Sequence, residues 1–449
     1  LVVQQAKDLT EQYPEAFVIW NILGVSAAQI GDLDQAITSF QKVISLNPDC
    51  ADAYSNMGLS LHSQGKMNQA ISAYKKAINI KPDYAEAYNN LGNSLKVQGK
   101  LNEAISAYHK AIIIRPDYAE VFNNLGVVLQ DQNKLKQAIC SYKKAILFKS
   151  DYAEAFFNLG SAFKDTGELE EAIQAYKKAL LIDPNYAEAY SNMGVALHVS
   201  GKLKKSLEAY KNCILLKPDY SEAYINSGNA LQDQGKFEEA IKAYNMALLH
   251  KPNNAEIYYN KGSALRSIGK LKEAIDAFGK AFLQKPDHEA AQALYLNQLA
   301  HICDWSSTEK DRKLIPSLGI SKKSVDPFSM FCLEDAPERH LIRSENYAKK
   351  FKQKSMQFPI KQSNKSNYIH IGYFSADFHN HATMFLMAKV FATHDRQKFK
   401  IHAYSYGPDK QDEMRKRLIS DVDIFHDVVD MDDMKIVKLA RKNKLDIAI

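Results

Sequence analysis

The sequence predicts an α-solenoid of two-helix repeats, followed by a partial α/β lobe of the Rossmann-like kind. Proline returns at intervals of 34 or 68 residues, at Pro14, Pro48, Pro82, Pro116, Pro184, Pro218, Pro252 and Pro286. Glycine keeps the same period at Gly24, Gly58, Gly92, Gly126, Gly160, Gly194, Gly228 and Gly262. From about residue 368 the pattern changes to short apolar runs that alternate with amphipathic helices. A fixed period of this length indicates a solenoid, and strand–helix alternation indicates a parallel sheet.

The repeat is a 34-residue unit with the tetratricopeptide pattern of two amphipathic helices. Counted from Phe17 as place 1, eight whole units run to residue 288, and residues 1–16 match the second helix of an earlier unit. One more helix, over about residues 288–302, lacks the aromatic residue and the glycine of a full unit and is typical of a terminal cap. We therefore predict a repeat superhelix over residues 1–303.

Small and aromatic residues at fixed places predict how the two helices of a unit pack. Glycine at place 8 and alanine or serine at place 20 let two helix axes approach closely. We expect large aromatic residues at place 4 to bury against the partner helix, with a second aromatic column at place 24. The place-4 residues are Trp20, Tyr54, Tyr88, Phe122, Phe156, Tyr190, Tyr224 and Tyr258, and the place-24 residues are Phe40, Tyr74, Tyr108, Tyr142, Tyr176, Tyr210, Tyr244 and Phe278.

Two further signals mark the helix ends. A glycine between the helices, replaced once by Asn133, predicts a left-handed backbone after the first helix. An Asp followed three places later by Glu has the spacing of a capping box and predicts the start of the next helix. These pairs are Asp83 with Glu86, Asp117 with Glu120, and Asp219 with Glu222.

Asparagine occupies place 6 of seven successive units. Amides at one repeat spacing on the concave face would donate to, and accept from, the backbone of an extended peptide. The alternative is that asparagine is a common and harmless residue at this place of many tetratricopeptide repeats. The seven residues are Asn56, Asn90, Asn124, Asn158, Asn192, Asn226 and Asn260.

A connector and a second domain follow the array. Residues 304–367 contain closely spaced prolines, a predicted helix ERHLIRSENYAKKF and a predicted loop from Lys361 to Asn367. Residues 368–449 alternate four strands with three helices, which predicts a parallel sheet that binds ligands at the carboxyl ends of its strands. We expect the loop SADFHNHAT to lie there, with backbone N–H groups facing a phosphate or carboxylate.

Three side chains of this loop are candidates for chemistry. His379 and His381 could ligate a metal, but the sequence offers no third ligand, so we predict no metal site. An exposed loop histidine without a role is one alternative, and a histidine beside a bound anion that acts on a hydroxyl proton is another. Asp377 is expected to cap or brace the loop. The loop has neither GxGxxG nor GxxxxGK[ST].

Composition argues against several classes of partner. The net charge of +6 is not concentrated in Lys/Arg clusters interleaved with aromatics, so support for nucleic-acid binding is weak. No apolar run approaches the roughly 18 residues that span a bilayer. Five cysteines without CxxC spacing argue against a disulfide framework or a zinc site and favour a reducing, cytoplasmic compartment. We expect no nucleic-acid partner and no membrane partner.

A family resemblance rests on four segments in this order: the repeats, ICDW at residues 302–305, DPFSMFCLEDAPERHLIRSENYAKKF, and IGYFSADFHNHATMFLM. Together they resemble the protein O-linked N-acetylglucosamine transferases and the related SPINDLY-type proteins. The resemblance implies a GT-B glycosyltransferase that moves N-acetylglucosamine from UDP-N-acetylglucosamine to Ser or Thr hydroxyls of proteins. It implies inversion at the anomeric carbon and no metal or other cofactor. Its implied partners are the nucleotide sugar and protein substrates, whose peptides the asparagines hold.

Residue by residue, the family's active-site histidine falls on His381, either as general base or as a contact to the donor. Asp377, His379, Asn380 and Thr383 are then assigned to the donor loop. Ala382 stands where the family usually has proline, a change that would loosen the loop and keep the histidine.

Residues 446–449 resemble the start of a strand in the family's first lobe. Enzymes of this family have two Rossmann-like lobes, and the second lobe holds most of the nucleotide. The resemblance implies that residues 1–449 contain only part of the first lobe. We therefore expect residues 1–449 alone to be inactive. Two alternatives stay open at this point. One is a protein-interaction scaffold without catalysis, and the other is a protein O-fucosyltransferase that uses GDP-fucose.

Overall fold

The computed structural model describes residues 2–321, 324–352, 368–408 and 410–449, and the chain divides into two compact units after Lys352. The loop predicted at Lys361–Asn367 lies outside the described residues. Among the residues that are described, no helix is both long and apolar enough to cross a membrane.

The first unit begins with eighteen helices in the predicted rhythm. The first helices of the repeats and the cap are α2 (Phe17–Gln29), α4 (Ala51–Ser63), α6 (Ala85–Val97), α8 (Ala119–Asp131), α10 (Ala153–Thr166), α12 (Ala187–Val199), α14 (Ser221–Asp233), α16 (Ala255–Ser267) and α18 (Glu289–His301). The second helices are α1 (Val2–Gln12), α3 (Leu33–Leu46), α5 (Met67–Ile80), α7 (Leu101–Ile114), α9 (Leu135–Phe148), α11 (Leu169–Ile182), α13 (Leu203–Leu216), α15 (Phe237–His250) and α17 (Leu271–Gln284). The predicted α-solenoid is confirmed.

Close packing at places 8, 20 and 24 explains the residue choice. A Cβ atom added to any place-8 glycine would lie between 2.5 and 2.8 Å from a ring carbon of the place-24 residue in the same repeat. The place-24 rings are at most 1% exposed, and every place-20 side chain is fully buried. The glycine is required because a ring occupies the space that any side chain would need.

One prediction about the helices holds in part, and a second is wrong. The place-4 aromatics are only half-buried, with Phe122 the one exception among them. The capping boxes do not form, since Tyr84, Tyr118 and Tyr220 stand at the N-caps of α6, α8 and α14 and make no side-chain cap. The turn residues behave as predicted, with φ of 74 to 85° at the seven glycines and 58° at Asn133.

Acidic residues at place 2 of the first helix bind the far end of the second helix instead. Glu86 lies 2.7 Å from Nη1 of Arg115, and Glu188 lies 3.2 Å from Nζ of Lys217. Glu222 pairs with Lys251 in the same manner. Each pair joins residues 29 apart within one repeat. In two of the three expected capping boxes, those of Glu86 and Glu222, the Glu therefore braces the two helices of its own repeat.

Residues up to Lys352 continue the first unit. They form α19 (Trp305–Asp311), 3₁₀ helices at Arg312–Ser317 and Pro327–Met330, and α20 (Pro337–Lys352), which includes the predicted helix. Arg343 is fully buried, and its guanidinium lies 2.5 Å from Glu334 and donates to the carbonyl oxygen of Leu318 at 2.7 Å. This buried ion pair fixes the segment after the cap.

The second unit has the predicted alternation. It contains β1 (Ile369–Ser375), α21 (Ala382–Thr393), β2 (Phe399–Ser405), α22 (Glu413–Asp421), β3 (Ile424–Asp427), α23 (Asp433–Lys442) and β4 (Ile447–Ala448). The strands form a parallel sheet in the order β3-β2-β1-β4. Residues of β1, β2, α21 and α22 build its core. The predicted α/β lobe is confirmed.

Candidate functional site

The predicted loop lies at the carboxyl end of the sheet. β1 ends at Ser375, directly opposite Ser405 at the end of β2. The Ser375 hydroxyl accepts a hydrogen bond from the backbone N–H of Asp377 at 3.0 Å, and the Asp377 carbonyl accepts one from His379 at 2.8 Å. These bonds turn the chain sharply between β1 and α21. Ligands of open parallel sheets bind at this edge, so the loop lies where the sequence predicted it.

His381 is the N-cap residue of α21. Its ring Nδ1 accepts from the backbone N–H of Thr383 at 3.3 Å and lies 3.1 Å from the Thr383 hydroxyl. Because Nδ1 is an acceptor here, the neutral ring carries its proton on Nε2. The side chain is 45% exposed. His381 can therefore donate an N–H to a ligand at the sheet edge.

Asp377 lies beside this ring, with Oδ2 3.6 Å from Nδ1 of His381. That separation is too long for a hydrogen bond. The helix cap is made by His381 and not by Asp377. Asp377 braces the turn through its backbone.

His379 is buried rather than exposed, with 8% of its surface accessible. Its ring stacks on that of His381 at a centroid distance of 5.7 Å, and its Nδ1 is buried without a hydrogen-bond partner. The alternative of an exposed histidine without a role is therefore wrong for His379. No three His, Cys, Asp or Glu side chains in the described parts of the chain are grouped to hold a metal ion.

Asn380 and Asp412 join the loop to α22. The backbone N–H of Asn380 donates to Oδ2 of Asp412 at 2.7 Å, and the Asn380 side-chain oxygen accepts from the backbone N–H of Met414 at 3.3 Å. Oδ1 of Asp412 caps α22 by accepting from Arg415 at 3.0 Å. Burial raises the pKa of the Asp412 carboxyl, but the N–H groups of Asn380 and Arg415 outweigh it and hold the pKa below its usual range.

Asp412 was missed by sequence reasoning, as was Arg415 at the same edge. Asp412 directly precedes α22, but nothing in the sequence links it to a loop 32 residues earlier. Arg415 is 2% exposed and donates to Ser405 at 3.0 Å and to Asp427 at 2.6 Å. Its guanidinium holds the ends of β2 and β3 together.

The seven place-6 asparagines are all half-buried on the first helices, and these helices contact one another along the array. Three of them donate to an amide of the preceding repeat, at 3.0 to 3.2 Å. The donor–acceptor pairs are Asn124 to Asn89, Asn158 to Asn123, and Asn260 to Asn229. Each amide has a second N–H and a carbonyl oxygen for other partners. The column therefore has a structural role, and its peptide-binding role stays a prediction.

The two parts of the chain match two different protein families. Residues 296–441 match the model for glycosyl transferase family 41. The chain carries a family 41 glycosyltransferase domain behind a tetratricopeptide array. The TPR repeat model matches residues 28–65, 58–99, 92–133, 129–167, 160–201 and 228–265, and a second tetratricopeptide repeat model matches residues 187–220 and 255–288. This combination of domains supports the predicted resemblance to the O-linked N-acetylglucosamine transferase and SPINDLY-type family.

One curated relative is a probable UDP-N-acetylglucosamine–peptide N-acetylglucosaminyltransferase SEC of Arabidopsis thaliana. It is 33% identical over 91 residues, which are 20% of this chain and 9% of the plant protein. The matched region thus spans less than a tenth of that relative.

Among solved structures, MamA is 32% identical over 36% of this chain and 95% of its own, with a TM-score of 0.35. YrrB, described as a TPR protein with an unusual peptide-binding site, is 29% identical over 41% of this chain and 95% of its own, with a TM-score of 0.36.

Proposed function

We propose that this chain is part of a protein O-glycosyltransferase that transfers N-acetylglucosamine from UDP-N-acetylglucosamine to Ser or Thr hydroxyls of proteins. The observation that carries the proposal is His381 at the N-cap of α21, at the carboxyl end of β1 and inside the family 41 segment. A helix N-terminus and an imidazole N–H together favour an anionic donor such as a nucleoside diphosphate sugar.

In the proposed reaction the acceptor hydroxyl oxygen bonds to the anomeric carbon from the face opposite the leaving group. The bond from that carbon to the β-phosphate oxygen breaks, UDP leaves with the electron pair, and the hydroxyl proton passes to a base. The bond from Thr383 to Nδ1 leaves Nε2 protonated in the neutral ring, which favours a contact to the donor over a role as general base. On the resemblance alone, the reaction uses no metal.

The repeats are proposed to hold the acceptor polypeptide. Half-buried amides in seven successive units offer one N–H and one carbonyl oxygen each, which suits the backbone of an extended chain. Recognition through the backbone would accept many acceptor sequences. The proposed partners are therefore protein substrates and a nucleotide sugar.

The test is a transfer assay on the complete reading frame that contains these residues, with UDP-N-acetylglucosamine and GDP-fucose offered separately and the product read by intact mass. The proposal expects N-acetylglucosamine transfer that falls by about 100-fold or more in His381→Ala. His301→Ala, on the exposed end of α18, is the matched control.

Transfer from GDP-fucose alone would replace the donor in this proposal. Peptide binding without transfer from either donor would favour the interaction scaffold.

A further inference from the structure

The carboxylate of Asp412 both caps the N-terminus of α22 and binds the loop between β1 and α21. Its Oδ1 accepts from Arg415 of its own helix, while its Oδ2 accepts from the backbone of Asn380. Asn380 returns the contact, since its side-chain oxygen accepts from Met414 in the first turn of α22. The loop and the first turn of α22 are thus joined by two hydrogen bonds, one in each direction.

The anchored N–H group belongs to Asn380, the residue directly before His381. Two contacts restrict rotation of the His381 ring. The Thr383 N–H donates to its Nδ1, and the buried ring of His379 stacks against it. Neither feature fixes the backbone that carries the ring. The bond from Asn380 to Asp412 is charge-assisted and measures 2.7 Å, and it ties the backbone of the loop to α22.

We propose that Asn380 and Asp412 are positioning residues that fix the imidazole of His381 in one orientation and one tautomer for contact with the sugar nucleotide. This inference rests on the proposed function, because it takes His381 as the group that meets the donor. Asp412 acts through the loop and touches neither the ring nor the reacting atoms.

Asp412→Asn separates anchoring from capping. Asparagine is as good an N-cap as aspartate, and its single carbonyl oxygen can still accept from Arg415. Its NH₂ group cannot accept from the Asn380 N–H, so the anchor is lost while the cap is kept. Asp432→Asn is the matched control, because Asp432 caps α23 through Lys435 at 2.8 Å and does not contact the loop.

The measurement is a ring ¹H–¹⁵N correlation spectrum of the whole chain labelled at histidine, recorded near pH 8, where an ordinary histidine is neutral. His381→Gln assigns the His381 signals. The native chain should give the Nε2–H tautomer. Asp412→Asn should give an average of both tautomers. Hydrogen-exchange mass spectrometry should also show about tenfold faster exchange at Asn380, in the peptide that contains it. Asp432→Asn should match the native chain.

The proposal is overturned if Asp412→Asn leaves the His381 ring signals unchanged, or if Asp432→Asn alters them equally. If Asp412→Asn does not fold, Asn380→Ala decides, because it removes the acceptor for Met414 and keeps the Asn380 backbone. An unchanged ring in that variant would also reject the proposal. Titration with UDP-N-acetylglucosamine is read separately, so missing donor binding would count against the proposed function and leave the ring result standing.

Discussion

Gly126 lies so close to Tyr142 that a Cβ atom on the glycine would be 2.5 Å from the Cε1 atom of the ring. The tyrosine is fully buried and its hydroxyl donates to Gln130 at 3.0 Å, so the ring is held at both ends. The contact recurs in every repeat, which makes it the main determinant of how the two helices of a unit approach.

Gly126→Ala should destabilise the array by about 1–3 kcal/mol, because the ring cannot withdraw from the added methyl group. Gly279→Ala is the control, since its Cβ would lie 3.7 Å from Tyr295 in ordinary contact. There alanine should stabilise α17 by up to about 1 kcal/mol through helix propensity. Urea unfolding followed by circular dichroism at 222 nm compares the two midpoints. A lower midpoint for both variants would contradict the packing argument.

Replacing Asn124, Asn158, Asn192 and Asn226 together by Ala should weaken binding of an acceptor peptide by tenfold or more, at about 1 kcal/mol for each lost hydrogen bond. A small loss of stability should accompany it, because Asn124 and Asn158 donate to the preceding repeat. The control is the triple variant Asn79→Ala, Asn212→Ala and Asn245→Ala on the second helices. Fluorescence anisotropy with a labelled acceptor peptide measures the affinity. Equal affinities in the two sets would reject the peptide-binding role.

The second unit should lose stability in mild acid. His402 lies between His370 and His426 on one face of the sheet and is 1% exposed. Burial, followed by His370 and His426, lowers the pKa of His402 to about 4. The pKa of this histidine in the unfolded chain is near 6.5. Its contribution to stability is therefore fully present above pH 6.5 and is lost as the pH falls towards 4.

Hydrogen exchange of the β2 peptide, normalised for intrinsic exchange, should therefore quicken between pH 7 and pH 5. His402→Gln should remove most of that pH dependence, whereas His301→Ala on the exposed end of α18 should keep it. A flat native profile would rule out the histidine as its source.

Glu334→Gln should destabilise residues 304–352 by roughly 3–5 kcal/mol, because it leaves the charge of Arg343 buried without its partner. Burial raises the pKa of Glu334, but Arg339 and Arg343 outweigh it and hold that pKa below its usual value. Glu338→Gln, exposed on α20, is the matched control. Limited proteolysis should cut the first variant within this segment and spare the control. Equal resistance of the two proteins would disprove the prediction.

The sequence predicts the parts of this protein that depend on period and on local chemistry. The place-8 glycines, the place-20 small residues and the left-handed turns follow from the 34-residue repeat, and the lobe follows from its strand–helix alternation. The strand-to-helix loop points to His379, His381 and Asp377 as candidates, and the choice of His381 among them comes from the family resemblance. The failures involve partners that no pattern specifies. Glu86 has capping-box spacing yet binds Arg115, and Asp412 reaches a loop 32 residues away.

Each glycine–ring contact joins residues 16 apart in the same repeat, and the ion pairs at the helix ends join residues 29 apart. Contacts between residues so close in sequence form early in folding, and they do not depend on distant parts of the chain. A whole 34-residue unit can therefore be gained or lost by duplication or deletion without breaking the packing inside its neighbours. The length of the repeat array can evolve while the glycosyltransferase lobe stays unchanged.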